Sequence, residues 1–74
     1  MPKLTPIRGK ELISILQKQG FIAVRQRGSH VRMESNDGRK TSVPVHTGES
    51  VGIGLLRKIL RDVQMSPEIF NDLR

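Results

Sequence analysis

The spacing of apolar residues changes several times along the chain, and each change marks an element. From about Gly9 to Gln19, Leu12, Ile13, Ile15 and Leu16 recur at helical intervals, as in a helix with one buried face. Gly20 follows, the residue type that most readily takes the left-handed conformation ending a helix. Phe21-Ile22-Ala23-Val24-Arg25 is rich in β-formers and too short for another helix. His30 to Ser35 alternates, with Val31 and Met33 on one side and His30, Arg32 and Glu34 on the other, so it reads as a half-buried strand. Asn36-Asp37-Gly38-Arg39 is a turn signal. Thr41 to His46 alternates again, Val43 and Val45 against Ser42, Pro44 and His46. Proline has no N–H for a ladder bond, so this third strand is predicted at an edge. A second helix is predicted from near Gly54, where Leu55, Ile59 and Val63 lie four apart and Leu56 and Leu60 widen the stripe. Ser66-Pro67 has the form of an N-cap followed by proline at the first helical position, opening a short helix through Leu73.

The predicted order is α-β-β-β-α with a short C-terminal helix. This is an α+β arrangement in which helices cover one face of a three-stranded antiparallel sheet and leave the other open. The 74 residues read as a single domain, 1–74, without repeat or linker. A chain of this size has little interior to spare, so any site is expected to be shallow and on the surface.

The alternation also constrains the two histidines. Val31, Met33, Val43 and Val45 all belong on the helix-covered face, and directly paired residues share a face. One register allowed by this rule sets Met33 against Val43, Val31 against Val45 and His30 against His46, with a three-residue loop centred on Gly38. The neighbouring allowed register leaves the histidines diagonal. Either way His30 and His46 are expected on the open face.

Charge adds a partner class. Thirteen Lys and Arg stand against seven Asp and Glu, a net of +6. No acidic residue lies between Glu11 and Glu34, while Lys18, Arg25, Arg27 and Arg32 do. Such a field on a small domain points to a polyanion, with nucleic acid first; a merely solvated surface is the plain alternative. Trp and Tyr are absent and the two Phe occupy core positions, which excludes readers that grip single strands by stacking bases on exposed rings. Cysteine is absent too, which removes thiol chemistry and fits a reducing cytoplasm. No apolar run approaches bilayer length, so no membrane segment is expected.

The stretch Arg25-Gln26-Arg27-Gly28-Ser29-His30 concentrates the candidate chemistry. Cleavage of RNA at the 2′-hydroxyl needs one proton removed and another delivered, and imidazole titrates near neutrality. Arginines nearby can stabilise charge on the phosphoryl oxygens. On the residues alone, a surface histidine satisfied by water is the better reading. Ser29 beside His30 looks like a nucleophile and its base, but neighbours on a strand point to opposite faces, and Ser29 is better read as shaping a turn. There is no metal-ligand spacing such as HExxH, and no cofactor is expected. Gly48 to Gly54 resembles a phosphate loop only superficially, lacking the Lys-Ser/Thr that should follow; a flexible lead into the second helix is expected there.

Gly9-Lys10-Glu11-Leu12, Gly20-Phe21, "RQRGSH", "VPVH" (Val43 to His46) and "GLLRKILRD" (Gly54 to Asp62) together resemble the HicA toxins over nearly the whole chain. These are small bacterial mRNA interferases with a fold like the double-stranded-RNA-binding domain, paired with a HicB antitoxin. The resemblance implies a metal-independent endoribonuclease that cleaves mRNA in the cytoplasm, inhibits translation and is held in check by a HicB-like partner. It implies that His30, the histidine of Gly-Ser-His, is catalytic, with His46 a secondary candidate. Arg25, Arg27 and Arg32 are then expected to contact RNA phosphate, with Gly28 and Ser29 forming the turn that presents the ring. The alternative function is a non-catalytic double-stranded RNA-binding module of the same fold.

Overall fold

A computed structural model describes residues 3–74. The elements are β1 (Ile7–Arg8), α1 (Gly9–Lys18), β2 (Phe21–Arg27), β3 (His30–Ser35), β4 (Lys40–Pro44), β5 (Ser50–Val51), α2 (Ile53–Asp62) and α3 (Pro67–Leu73). Strands β2, β3 and β4 form an antiparallel sheet in that order, so the proline-bearing β4 is an edge strand. The α+β architecture is the one that the apolar pattern predicts.

The helices pack on one face of this sheet. Leu12 and Leu16 of α1, Leu56, Ile59 and Leu60 of α2, Val63 just beyond it and Phe70 of α3 are buried against Val31, Met33 and Val43. The buried stripe of α2 is Leu56-Ile59-Leu60-Val63, at the i, i+3, i+4, i+7 spacing of a helix face. Leu55, expected on that stripe, lies at its margin and is 40% exposed. Helix α1 ends as expected: Gly20 has φ +93°, and its N–H donates to the Gln17 carbonyl at 3.2 Å. Ser66 caps α3, its Oγ accepting from the Ile69 N–H at 3.2 Å, with Pro67 next.

Two features differ from the sequence expectation, and a third settles what it left open. Residues Ile7–Arg8 and Ser50–Val51 pair as a two-stranded ribbon, which buries Ile7 and Val51; the expected flexible lead into α2 is therefore anchored in part. Strand β4 stops at Pro44, short of His46. Its register sets Val31 against Val43, Met33 against Thr41 and His30 against Pro44, the second of the two allowed registers. The cause lies in the turn. Ser35 and Arg39 bracket a three-residue loop, with the Ser35 N–H donating to the Arg39 carbonyl at 2.9 Å. Gly38 takes φ +90° at the last loop position, where such a loop needs a left-handed residue, rather than at its centre.

That register makes Thr41 the one buried polar residue of the described core, 2% exposed. Its hydroxyl donates to Asp62 Oδ2 at 2.9 Å, and Lys58 Nζ donates to the same oxygen at 3.0 Å. Burial pushes the Asp62 carboxyl pKa up, but the bonds from Lys58 and Thr41 outweigh it and hold the group below its ordinary value. A carboxylate whose pKa is depressed on folding stabilises the protein above the ordinary carboxylate range. That contribution is lost as pH falls through the lowered value. Asp62→Ala is expected to cost about 1–3 kcal/mol near neutrality, because the Thr41 hydroxyl is left buried without a partner. Urea denaturation at neutral and acid pH checks this: the gap between wild type and variant should narrow in acid, and equal stabilities at neutral pH would contradict it.

Candidate functional site

The β2–β3 hairpin carries most of the candidate residues. Arg27 and His30 form its closing pair, leaving Gly28-Ser29 as a two-residue loop. Of these two only Gly28 has positive φ, +56°, as expected for a tight hairpin turn that begins with glycine and matches the strands' right-handed twist. Gln26 Nε2 braces the loop by donating to the Gly28 carbonyl at 2.9 Å.

A β-bulge decides which way the arginines point. Phe21 pairs with Ser35 and Ala23 with Met33, but the register then shifts, and Arg25 pairs with Arg32 and Arg27 with His30. Val24 is the extra residue. Strict alternation from buried Phe21 would send Ala23, Arg25 and Arg27 to the core face. The bulge reverses the alternation after Ala23, placing Arg25 and Arg27 on the open face with Arg32 and His30. These four residues and Ser42 line a shallow depression of about 130 Å³.

Arg25 and Arg27 make no ion pair among the described residues. Arg32 is more constrained. Its Nη1 donates to Ser42 Oγ at 3.4 Å, and its Nε is buried without a hydrogen-bond partner, Glu34 Oε2 standing 3.7 Å away. Three guanidinium groups on one face, with a single weak counter-ion, favour an anion in the depression. Ser42 was not a sequence candidate. The signal that finds it is its pairing with Arg32, which requires knowing the β3–β4 register.

His46 lies elsewhere, and the shared-face expectation is corrected. In the observed register Val45 falls opposite the turn residue Ser29 rather than Val31, so the ladder has no strand left to follow. The Val45 N–H donates to the Ser29 carbonyl at 2.6 Å, and His46 Nε2 is hydrogen-bonded to Ser29 Oγ at 2.8 Å. His46 lines a separate depression with Arg8, Lys10 and Glu49. The serine beside His30 thus has its imidazole partner in His46, seventeen positions on.

No helix among the described residues is long and apolar enough to cross a membrane, and none of their His, Asp and Glu side chains cluster in threes as metal ligands do. Residues 9–65, from the start of α1 to just beyond α2, match the family model described as HicA toxin of bacterial toxin-antitoxin. No curated protein matches the chain.

Proposed function

The chain belongs to the HicA toxin family of bacterial toxin–antitoxin systems, and on that premise we propose that it is an endoribonuclease that cleaves messenger RNA at the open face of its sheet. The observation that carries this reading is the depression in which His30 is surrounded by Arg25, Arg27, Arg32 and Ser42. It joins one group able to move a proton near neutrality to three that hold phosphate.

The chemistry follows from those groups. RNA backbone lies along the arginines, with the scissile phosphate over the Arg27–His30 pair. His30 either takes the proton of the 2′-hydroxyl or returns one to the departing 5′-oxygen, water serving at the other oxygen. The 2′-oxygen attacks phosphorus, the bond to the 5′-oxygen breaks, and the products carry a 2′,3′-cyclic phosphate and a 5′-hydroxyl. Arg32, oriented by Ser42, stabilises the charge that builds on the phosphoryl oxygens. His30, Arg25 and Arg27 are exposed, so a partner that masks this face switches the enzyme off. A HicB-like antitoxin, acidic where it docks, fits that role and should associate faster at low salt.

Incubation with a single-stranded transcript in excess EDTA tests the reading. Cleavage is expected to continue and to leave the ends named above. Replacing the 2′-hydroxyl by hydrogen at the scissile position should stop it, because the nucleophile is gone. Cleavage of the deoxy substrate, or 3′-hydroxyl ends, would refute this chemistry. Binding of duplex RNA without any cleavage would leave a non-catalytic binding module.

A further inference from the structure

The segment that carries His46 is braced on three sides. At the β4 exit, a Cβ on Gly9 would overlap the Pro44 carbonyl oxygen, so the start of α1 packs directly on the backbone before His46. After it, the Glu49 N–H donates to the His46 carbonyl at 3.2 Å, closing a turn in which Gly48 has φ +78°. Beside it, the Val45 N–H donates to the Ser29 carbonyl at 2.6 Å. The ring continues this last attachment by bonding Ser29 Oγ at 2.8 Å. A single residue of the β2–β3 turn is thus gripped twice by consecutive residues of a braced segment. That turn is only two residues long, and Arg27 and His30 flank it directly.

We propose that His46 is a positioning residue rather than an acid or base: by holding the Ser29 hydroxyl it fixes the Gly28-Ser29 turn and thereby the placement of Arg27 and His30 on the scissile phosphate. This rests on the ribonuclease reading above. Two observations separate it from a second acid–base group. The His46 Nε2 is engaged with Ser29, and His46 lines the depression of Arg8, Lys10 and Glu49, not the one that holds His30. A serine hydroxyl both donates and accepts, so the bond forms with a neutral imidazole in either tautomer and persists when the ring is protonated. The clasp therefore needs only a hydrogen-bonding nitrogen at that position, not a proton transferred from it.

The test is cleavage rate across pH for Ser29→Ala, His46→Ala, the double variant and His46→Gln. Each alanine variant is expected to lose roughly 10- to 100-fold in kcat, the scale of a small misplacement of reacting groups, with both limbs of the pH profile kept. The double variant should be no worse than either single one, because both remove the same bond. His46→Gln, whose amide can reach the same hydroxyl, should recover most of the rate. Full activity in Ser29→Ala, loss of one limb in His46→Ala, or a glutamine variant as slow as the alanine one each overturns the proposal. Amide hydrogen exchange at His30 and Val45 reads the clasp without catalysis. It should quicken in both alanine variants and return toward wild type with glutamine. A wild-type protein that cleaves no RNA defeats the enzymatic reading, whereas exchange unchanged by these substitutions defeats the clasp.

Discussion

Replacing His30 by alanine is expected to abolish RNA cleavage while leaving the fold and the affinity for RNA in place. The side chain projects from the open face and is exposed, so its removal leaves no core cavity. Surface changes of that kind usually stay within about 0.5 kcal/mol of wild-type stability. Arg25, Arg27 and Arg32 remain to hold phosphate, so affinity and its salt dependence should change little. The lost acid or base should lower the rate by roughly 10²–10⁴-fold, more than loss of the Ser29–His46 bond. Single-turnover cleavage of the transcript, with circular dichroism to confirm folding and filter binding for affinity, checks all three statements. A folded His30→Ala protein that cleaves at near wild-type rate would remove His30 from the mechanism.

The second large effect belongs to Phe21, which anchors the start of β2 in the core, where it is 2% exposed. Its replacement by alanine is expected to cost about 3–5 kcal/mol, the loss of a buried aromatic, and to lower the urea midpoint sharply. A variant with the wild-type midpoint would contradict the anchoring role. Deleting Val24 should do far less. It removes the one unpaired residue and leaves Phe21, Ile22, Ala23, Arg25, Gln26 and Arg27 opposite the same partners, Ser35 back to His30, in one regular register. Phe21 stays on the core face and Arg25 and Arg27 on the open face, so a folded protein that keeps its RNA affinity is expected. A deletion variant that unfolds would contradict this account of the bulge as an absorbed extra residue.

Elements whose signals are local can be read from the chain alone. Alternation outlines β3 from His30 to Ser35, glycine ends α1, Ser66-Pro67 starts α3 and proline marks β4 as an edge. Each depends on residues a few positions apart, whose conformational preferences act whatever the rest of the chain does. His30 was legible on the open face for the same reason: its neighbours Val31 and Met33 are core residues one and three positions away. Arg25 and Arg27 could be named as candidate phosphate ligands from composition and resemblance, but not aimed. A period of two fixes the face of a side chain only while the ladder is unbroken, and the bulge at Val24 reverses it midway along β2. Only the demand that Phe21 enter the core while the hairpin closes on Arg27 and His30 puts the extra residue there. The β3–β4 register was likewise undecided, because two registers bury the same valines; the left-handed glycine at the end of the loop chose between them. From that choice follow the burial of Thr41 on Asp62, the pairing of Ser42 with Arg32 and the departure of the chain from the sheet before His46. The Ile7–Arg8 and Ser50–Val51 ribbon is too short to leave a periodic trace and forms because its partner strands are brought together by everything between them. The bond from His46 to Ser29 has the same origin: it joins residues far apart in sequence whose contact no local preference encodes, and it exists only because the register and the packing of Gly9 on Pro44 bring the β4 exit to the hairpin turn.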